Sequence, residues 1–345
     1  MRAIGYDAFA GPLTLRTVAD PMPPDDGVVI RVAATGICRS DWHGWQGHDP
    51  DITAFPHIPG HEFAGTIAAV GREVDGWQVG ARVTVPFVCG CGQCTPCLRG
   101  DQQVCLHQTQ PGFTHWGSFA ELVVVHHATT NLVALPETIS MTTAASLGCR
   151  FATSFRAITV QGRVREDQWV AIHGTGGVGL SAVMIAAALG ARVIAIDVDP
   201  IALARATDLG AEHLVRADQV DVVSTIREVT DGGADVSLDT LGSTATATNS
   251  VACLRVQGRH VQVGLLAGID RRPPMPMELV IARELELVGS HGMAAHHYPA
   301  MLAMIADGRL APERLIARTV PLEQAPTELI ALGERGAGGM VVVVM

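Results

Sequence analysis

Aromatic residues make up only 4% of the 345-residue chain, and no basic stretch offsets its net charge of −10. So few aromatics leave little material for stacking on single-stranded nucleic acid, and the acidic balance disfavours binding to phosphate backbones. The N-terminal residues lack a basic segment followed by an apolar run, and the longest apolar stretch, 180–196, is broken by Gly190 and Arg192. We therefore expect a cytoplasmic protein with no secretory signal, no membrane span and no nucleic-acid partner.

The length of the chain and its cysteines indicate the number of domains and a metal site. At roughly 150 residues per domain, 345 residues predict two domains, and the 48% of hydrophobic residues is enough for two cores. Eight cysteines are present, and five of them fall between residues 89 and 105. A protein of this size in a reducing cytoplasm does not need disulfides. Cysteines clustered in this way therefore indicate a metal site.

The hydrophobic pattern changes near residue 140. Before it, short β-branched runs at 28–33, 63–70, 82–86 and 121–125 predict an irregular, mostly β domain. Helical periodicity then covers 142–160, and from residue 169 onwards strands and helices alternate. The predicted strands are 169–172, 192–197, 236–239 and 260–264, and the predicted helices are 177–189, 200–209, 220–229 and 243–254. This alternation predicts a parallel sheet covered by helices on both faces.

The pattern becomes mixed again after residue 274, with a strand at 285–290, a helix near 299–307 and a terminal strand at 340–344. We expect this tail to return to the first domain. The expected fold class is therefore α/β. It combines a β-rich domain, formed by 1–150 and 286–345, with a doubly wound parallel-sheet domain, formed by 151–285.

A glycine-rich loop follows the predicted strand at 169–172. Residues 174–179 are Gly-Thr-Gly-Gly-Val-Gly, and a predicted helix begins within them. The glycines allow a tight turn and let a pyrophosphate approach the backbone at the helix N-terminus. Asp197 ends the next strand, where its carboxylate can accept hydrogen bonds from a ribose and would repel a 2′-phosphate, so NAD is favoured over NADP. The alternative interpretation is a glycine-rich turn in an ordinary α/β domain.

Four cysteines with regular spacing form a second motif, the four-cysteine lobe (residues 91–105). Cys91, Cys94, Cys97 and Cys105 are separated by two, two and seven residues. Short gaps let consecutive thiolates turn onto one ion, and four sulfurs close a tetrahedral zinc shell with no open position, which is typical of a structural site. Cys89 lies two residues before Cys91, so the sequence leaves open whether it replaces one of these four ligands. Free cysteines on a loop, or a redox pair, are the alternative.

Three further segments carry residues that ligate metals. They contain Cys38, His61 with Glu62, and Cys149. Each is a weak signal alone, because a single cysteine is usually a core residue and a single histidine is often only hydrogen-bonded. Together they could supply two thiolates, one imidazole and one open position, which is the pattern of a catalytic zinc.

Five motifs in this order resemble the zinc-dependent medium-chain alcohol dehydrogenase family. They are residues 38–43, 59–65, the four-cysteine lobe, 147–153 and 174–179. The resemblance extends over essentially the whole chain and implies a GroES-like β-rich domain with an inserted Rossmann domain. It also implies a catalytic zinc held by Cys38, His61 and Cys149, with Glu62 behind the metal as an occasional ligand.

The same resemblance implies roles for the residues around that zinc. Asp41 would hold the His61 ring through its second nitrogen. Ser40 would take the proton of the alcohol, and His43 would pass it towards solvent. Phe87 would line the substrate pocket.

Cofactor contacts are implied as well. Arg39 would meet the NAD pyrophosphate, more so because residues 338–340 offer no basic side chain where many relatives have one. Thr153, Val178, Val263 and Leu265 would line the nicotinamide. They complete the set of expected cofactor-binding residues, whose other members are Gly174, Gly176, Gly177, Gly179 and Asp197.

The sequence thus predicts an NAD-dependent enzyme with two zinc ions, one structural and one catalytic. It would interconvert small primary or secondary alcohols with aldehydes or ketones, and analogy suggests a homo-oligomer, either a dimer or a tetramer. A polyol or formaldehyde-adduct dehydrogenase of the same family is the close alternative. A non-catalytic NAD-binding protein that keeps only the structural zinc is the alternative from another class. Cys89 and Cys253 have no assigned role.

Overall fold

The computed structural model of the protein describes residues 1–334 and 339–345. Its contacts divide the chain into two compact units, one formed by residues 1–152 with 292–345 and the other by residues 153–291. The domain boundaries expected from the sequence lie after residues 150 and 285, close to the ends of these units at 152 and 291. Gly338, part of the segment expected to lack a phosphate-binding side chain, lies outside the described residues.

The described residues form the following strands and helices. The strands are β1 (Arg2–Gly5), β2 (Thr14–Thr17), β3 (Val28–Ile37), β4 (Glu62–Val70), β5 (Arg82–Thr84), β6 (Leu122–Val125), β7 (Val133–Ala134), β8 (Trp169–His173), β9 (Arg192–Asp197), β10 (His213–Arg216), β11 (Ala234–Asp239), β12 (Leu254–Gln262), β13 (Glu286–Gly289), β14 (Ile316–Pro321) and β15 (Met340–Val344). The α-helices are α1 (Arg39–Trp45), α2 (Thr95–Leu98), α3 (Ala128–Asn131), α4 (Met141–Ala145), α5 (Ala152–Arg156), α6 (Gly177–Ala188), α7 (Pro200–Asp208), α8 (Val222–Val229), α9 (Thr244–Ala252), α10 (Met277–Arg283), α11 (Tyr298–Ala306) and α12 (Ala325–Glu334).

The β-rich unit is built on a sheet with the strand order β14-β15-β3-β4-β5-β7, and β6 pairs with β3 as well. Its pairings are antiparallel except that of β14 with β15. Alternate residues of β3, Val28, Ile30 and Val32, pack into one apolar cluster, as the two-residue period of a strand requires. The pairing of Gly36 with Glu62 places the end of β3 beside the start of β4, which is where the candidate site forms.

The second unit contains a six-stranded sheet in the order β10-β9-β8-β11-β12-β13, with every pairing parallel. Its central strands are apolar and buried along most of their length, since a parallel sheet is covered on both faces. Helices α6 to α9 alternate with these strands along the chain. The predicted α/β fold class is confirmed.

Several predicted elements differ from the structure in detail. The single helix expected at 142–160 is divided into α4 and α5, with π-helical turns at Leu147–Phe151 and Ala157–Gln161. The strand expected to end at residue 264 ends at Gln262. Helix α1 was not predicted, because seven residues are too few for a clear helical period. Among the described residues, no helix has the length and apolarity needed to cross a membrane.

Candidate active site

A buried cluster formed by Cys38, His61, Glu62 and Cys149, here called the thiol–imidazole cluster, lies in the β-rich unit. One ligand atom from each of the four lies within 4.8 Å of those from the others, and all four residues are buried. Cys38 follows β3 and caps α1, His61 precedes β4, and Cys149 lies in the first π-helical turn. The neighbouring strand ends and this turn therefore bring together residues that are far apart in the sequence.

The imidazole of His61 is held with one nitrogen oriented for a ligand. Its Nδ1 lies 2.7 Å from Asp41 Oδ1, and the same carboxylate accepts hydrogen bonds from the backbone N–H groups of Gly60 (3.0 Å) and Cys38 (2.9 Å). The other nitrogen, Nε2, is buried and has no hydrogen-bond partner. A buried polar atom without a partner is costly, and a metal ion would satisfy it. Asp41 thus contacts the ring of His61 directly, and its role beside a zinc ion remains a prediction.

The two thiols complete a donor set that suits zinc. A hydrogen bond from Cys149 lowers the pKa of Cys38 well below its usual value, although burial opposes this shift. The same interaction and burial raise the pKa of Cys149. Two sulfurs and one imidazole nitrogen are typical zinc ligands, and a tetrahedral ion on three such donors keeps one open position. The residues present therefore fit a catalytic zinc.

Glu62 is part of the cluster but is bound to Arg150. The backbone N–H of Arg150 donates to Glu62 Oε1 (2.8 Å), its Nε donates to both carboxylate oxygens (3.1 and 3.0 Å), and its Nη2 donates to Oε2. Burial raises the pKa of Glu62, and the Arg150 guanidinium opposes the shift. Sequence reasoning missed Arg150, and its position directly after Cys149 was the available signal.

The proposed proton-carrying residues lie on α1. Ser40 Oγ lies 3.8 Å from Cys38 Sγ, and His43 Nδ1 lies 3.0 Å from the Nδ1 of His48. Burial lowers the pKa of His43, and the nearby charges of Arg39 and His48 lower it further. The lowered pKa favours the neutral form of His43, which is able to accept a proton.

Arg39 and Phe87 each make specific contacts within the β-rich unit. The Arg39 guanidinium lies 4.5 Å from the centre of the Trp42 ring and donates to the carbonyl of Leu332. The ring centre of Phe87 lies 6.1 Å from that of His61, and the ring of Phe113 is closer at 5.2 Å. Phe87 thus forms an aromatic contact at the cluster, and Phe113 is a further one that the sequence did not indicate.

The four cysteines of the lobe form a second cluster, with their sulfur atoms within 4.8 Å of one another. Backbone N–H groups point at the sulfurs, for example those of Gln93 and Cys94 at Cys91 Sγ (3.5 and 3.4 Å). A hydrogen bond from the backbone N–H of Cys97 is the main reason that the pKa of Cys94 falls to about 6. Such bonds favour thiolates, which are the form that binds zinc.

Cys89 is not part of this second cluster. Its side chain is fully buried in the apolar core of the β-rich unit, where Sγ lies 3.5 Å from the carbonyl of Pro86. Burial raises the pKa of this thiol to about 12. Cys253, in the other unit, is also a core residue with a pKa raised to about 12 by burial. The geometry thus separates both from the clustered cysteines.

The glycine loop lies in the unit formed by residues 153–291, between β8 and α6. Gly174 has a φ of +92°, and its N–H donates to the carbonyl of Ile196 (2.8 Å). A Cβ on Gly179 would lie 1.9 Å from the carbonyl oxygen of Gly174, so only glycine allows this close approach of α6 to the loop. Gly176 caps α6 and Gly177 begins it, with open space around the Cβ position of Gly176.

Asp197 holds this loop at the end of β9. Its Oδ2 accepts hydrogen bonds from the N–H (2.6 Å) and the hydroxyl (2.8 Å) of Thr175, and its Oδ1 accepts from the N–H groups of Val198 (2.7 Å) and Asp199 (2.9 Å). The carboxylate is therefore fixed beside the loop. Thr175 is a partner that sequence reasoning missed.

The remaining predicted cofactor residues lie around this sheet. The carbonyl of Val178 accepts a hydrogen bond from Ser154 (2.7 Å), and Thr153 is buried. Val263 follows β12 and donates to the carbonyl of Asp239 (2.9 Å). Leu265 is 68% exposed.

The described residues contain a buried thiol–imidazole cluster, a four-thiol cluster and a dinucleotide-type parallel sheet. This combination defines a class of protein, the zinc-containing dehydrogenases that use a nicotinamide cofactor.

Comparisons with known proteins agree with this class. A model of the alcohol dehydrogenase GroES-like domain matches residues 24–137, and a model of the zinc-binding dehydrogenase domain matches residues 177–307. The chain is 32% identical to an NAD-dependent alcohol dehydrogenase from Sulfurisphaera tokodaii, over 100% of both chains. It is also 32% identical to a D-arabitol-phosphate dehydrogenase from Enterococcus avium, over 94% of this chain and 90% of the relative. The structure of an alcohol dehydrogenase from Thermus sp. ATN1 superposes with a TM-score of 0.90 at 32% identity, covering 100% of this chain and 99% of the other.

The chain belongs to the zinc-dependent medium-chain alcohol dehydrogenase family. It is an oxidoreductase that uses zinc and NAD and acts on small-molecule alcohols. The β-rich unit corresponds to the GroES-like domain and the parallel-sheet unit to the Rossmann domain.

Proposed function

We propose that this enzyme transfers hydride reversibly between small primary or secondary alcohols and NAD, with its catalytic zinc held by Cys38, His61 and Cys149. The observation that carries this proposal is the buried, unpartnered Nε2 of His61, on a ring that has a nitrogen within 4.8 Å of the two sulfurs. Zinc, when bound, supplies Lewis-acid polarisation of the substrate oxygen, which makes loss of the alcohol proton accessible near neutral pH.

The neighbouring residues have separate tasks around this centre. Asp41 fixes the ring of His61 through Nδ1 and leaves Nε2 available for a metal. Ser40 accepts the alcohol proton as it gives up its own, and His43 receives it. Arg150 donates hydrogen bonds to both carboxylate oxygens of Glu62 and opposes the rise in its pKa that burial causes. Phe87 and Phe113 exclude water from one side of His61.

The preference for NAD is supported by Asp197. Its carboxylate is fixed by four hydrogen bonds beside the glycine loop. A fixed negative charge there repels a 2′-phosphate, while its oxygens can still accept hydrogen bonds from ribose hydroxyls. We assign the pyrophosphate site to the loop that Gly174, Gly176, Gly177 and Gly179 form, where the backbone is open at Gly176. We assign the nicotinamide contacts to Thr153, Val178, Val263 and Leu265 and a further pyrophosphate contact to Arg39.

Cys91, Cys94, Cys97 and Cys105 hold the structural zinc in this proposal. The lobe has few buried apolar side chains of its own, so the metal supplies the order that a core would otherwise give. We further propose that the enzyme is cytoplasmic and forms a homo-oligomer, a dimer or a tetramer, with no nucleic-acid or membrane partner.

A polyol or a polyol phosphate is the second candidate substrate class. The chain is as similar to the D-arabitol-phosphate dehydrogenase as to the NAD-dependent alcohol dehydrogenase, at 32% identity in both cases. This similarity supports the second substrate class.

A panel of substrates tests both candidates. NADH formation, followed by its absorbance, would be measured with primary and secondary alcohols, polyols, polyol phosphates and S-hydroxymethyl thiols. The proposal expects the largest kcat/KM with a simple alcohol and little activity with NADP. A larger kcat/KM with a polyol would favour the second candidate. No turnover with any of them, together with one zinc per chain instead of two, would favour a non-catalytic NAD-binding protein.

A further inference from the structure

A second histidine lies against the proposed relay residue. His48 is exposed just beyond the end of α1, and its Nδ1 lies 3.0 Å from the Nδ1 of His43, which is a hydrogen-bonding distance. His43 itself is only partly exposed. The pair therefore connects a partly buried imidazole to one that water can reach.

The backbone places His48 there by the way α1 ends. Gly47 has a φ of +79°, and the chain reverses at this residue. The N–H of His48 then donates to the carbonyl of His43 (3.0 Å), and the N–H of Gly47 donates to the carbonyl of Gly44 (3.0 Å). These two bonds are those of a Schellman motif, which needs glycine or asparagine at this position. The approach of the two histidines is thus a consequence of the helix end.

The indole of Trp42 packs against both imidazoles. Its ring centre lies 5.1 Å from that of His43 and 5.8 Å from that of His48, in edge-to-face geometry in both cases. The two imidazole rings are 5.3 Å apart. An aromatic side chain that contacts both rings restricts their rotation and keeps the two Nδ1 atoms facing each other.

The hydrogen bond between the rings requires that one Nδ1 carry a proton and the other not. The charged or titratable groups that act on His43 are Arg39 on the same helix, His48 and Cys38. Arg39 and His48 disfavour a lasting charge on His43, as does burial. A proton that arrives at His43 is therefore driven onward, and the hydrogen-bonded nitrogen of His48 is the acceptor in contact with it.

We propose that His48 is a second relay and positioning residue for alcohol oxidation, which accepts the proton from His43 and releases it to water. The inference rests on the proposed function of His43. In one turnover a proton enters the pair at His43 Nε2, the Nδ1 proton of His43 moves to Nδ1 of His48, and the Nε2 proton of His48 leaves to water. One proton enters and one leaves, so the charge of the pair is unchanged, and exchange with water restores the starting tautomers.

Kinetics of His48→Gln and His48→Asn test this role, with NAD and an alcohol on the zinc-loaded enzyme. Asparagine can keep a hydrogen bond to His43 but cannot carry a proton. We expect both variants to lower kcat for oxidation by about threefold to tenfold, with KM and NADH binding changed by less than about twofold. The loss is expected to be largest at low pH, where proton release is least favourable. Added imidazole should restore kcat, because it can replace the missing acceptor.

Two comparisons make the result specific. His296→Gln is the matched control, because this exposed histidine also lies against a neighbouring histidine, with ring centres 4.0 Å apart, and it should leave kcat unchanged. In the double variant His43→Gln/His48→Gln, kcat should equal that of His43→Gln alone, since both residues act on one path. Nitrogen NMR of the histidines gives a readout independent of turnover, and replacing His48 should change the tautomer of His43.

The outcomes separate this inference from the proposed function. If His43→Gln lowers kcat and His48→Gln does not, His48 is no relay residue and the function of His43 stands. If kcat of His48→Asn equals that of the wild type, His48 only positions the ring of His43, and the proposal that it carries a proton is wrong. If His43→Gln has no effect either, the proposed relay itself is wrong.

Discussion

At the scale of single residues, the buried pair of Glu62 and Arg150 has the clearest energetic consequence. Glu62 is fully buried and Arg150 is 7% exposed, and three hydrogen-bonding groups of Arg150 contact the carboxylate. We predict that Arg150→Met lowers the free energy of unfolding by about 3–5 kcal/mol, because it leaves a buried charge without a partner. Urea unfolding of the zinc-loaded protein measures this.

Two variants control that prediction. The double variant Glu62→Gln/Arg150→Met removes both charges and should recover part of the lost stability. Arg72→Met breaks an exposed ion pair with Asp25 and should cost less than about 1 kcal/mol. Equal losses of unfolding free energy in Arg150→Met and Arg72→Met would contradict the importance of the buried pair.

His173, at the end of β8, makes stability depend on pH. Burial, with a smaller contribution from His260, lowers the pKa of His173 from 6.5 to about 3. The unfolded chain therefore binds a proton that the folded chain does not, so stability is complete above pH 6.5 and is lost as the pH falls towards 3. Between pH 7 and pH 5 we expect a loss of roughly 2 kcal/mol from this residue.

The His173→Gln variant tests the assignment, since glutamine does not titrate. Its unfolding free energy should change less between pH 7 and pH 5 than that of the wild type, whatever its absolute stability. Hydrogen exchange of peptides from the parallel-sheet unit restricts the measurement to the region around β8. Identical pH dependence in both proteins would show that His173 is not the titrating group.

At the scale of elements, two glycines of the same loop are predicted to have different roles. A Cβ on Gly176 meets no atom within 4 Å, whereas one on Gly179 would overlap the carbonyl oxygen of Gly174. We predict that Gly176→Ala keeps the melting temperature and weakens NADH binding by about tenfold or more, because the new Cβ lies where the pyrophosphate approaches the backbone. Gly179→Ala should instead destabilise the fold by about 1–3 kcal/mol.

Thermal unfolding and NADH fluorescence titration of the two variants separate these effects. Wild-type NADH affinity in Gly176→Ala would mean that the cofactor does not lie against this turn.

The four-cysteine lobe provides the second prediction at this scale. Cys105→Ser should remove one zinc per chain and make residues 91–105 sensitive to proteases, because four thiolates close that site. Cys89→Ala is the matched control, since Cys89 is a nearby buried cysteine outside the cluster, and it should keep both zinc ions. Zinc analysis and limited proteolysis of the two variants measure these effects. Loss of zinc from the Cys89 variant would overturn the ligand assignment.

At the scale of the whole molecule, the sequence predicted what short-range patterns determine. Runs of apolar residues predicted β9 and β15 with their observed ends. Most of the other predicted elements lie within a few residues of the observed ones. The short spacing of the four lobe cysteines predicted that they bind one ion, and the structure brings their sulfurs together. That these sulfurs bind zinc remains a prediction.

Contacts between distant residues were not predictable in the same way. Arg150 and Glu62 are 88 positions apart, and Thr175 and Asp197 are 22 apart, so neither pair leaves a local pattern. The π-helical turn that carries Cys149 is only five residues long, too short to leave a period of its own in the sequence. The position of His48 depends on one glycine at the end of a short helix.

The most direct test of the central claim is zinc content and NADH formation in Cys38→Ser, compared with the wild type. If Cys38, His61 and Cys149 hold the catalytic zinc, the variant should keep NADH binding and the zinc of the lobe, lose the other zinc, and lose turnover. Turnover that survives in this variant would contradict the assignment of the catalytic metal.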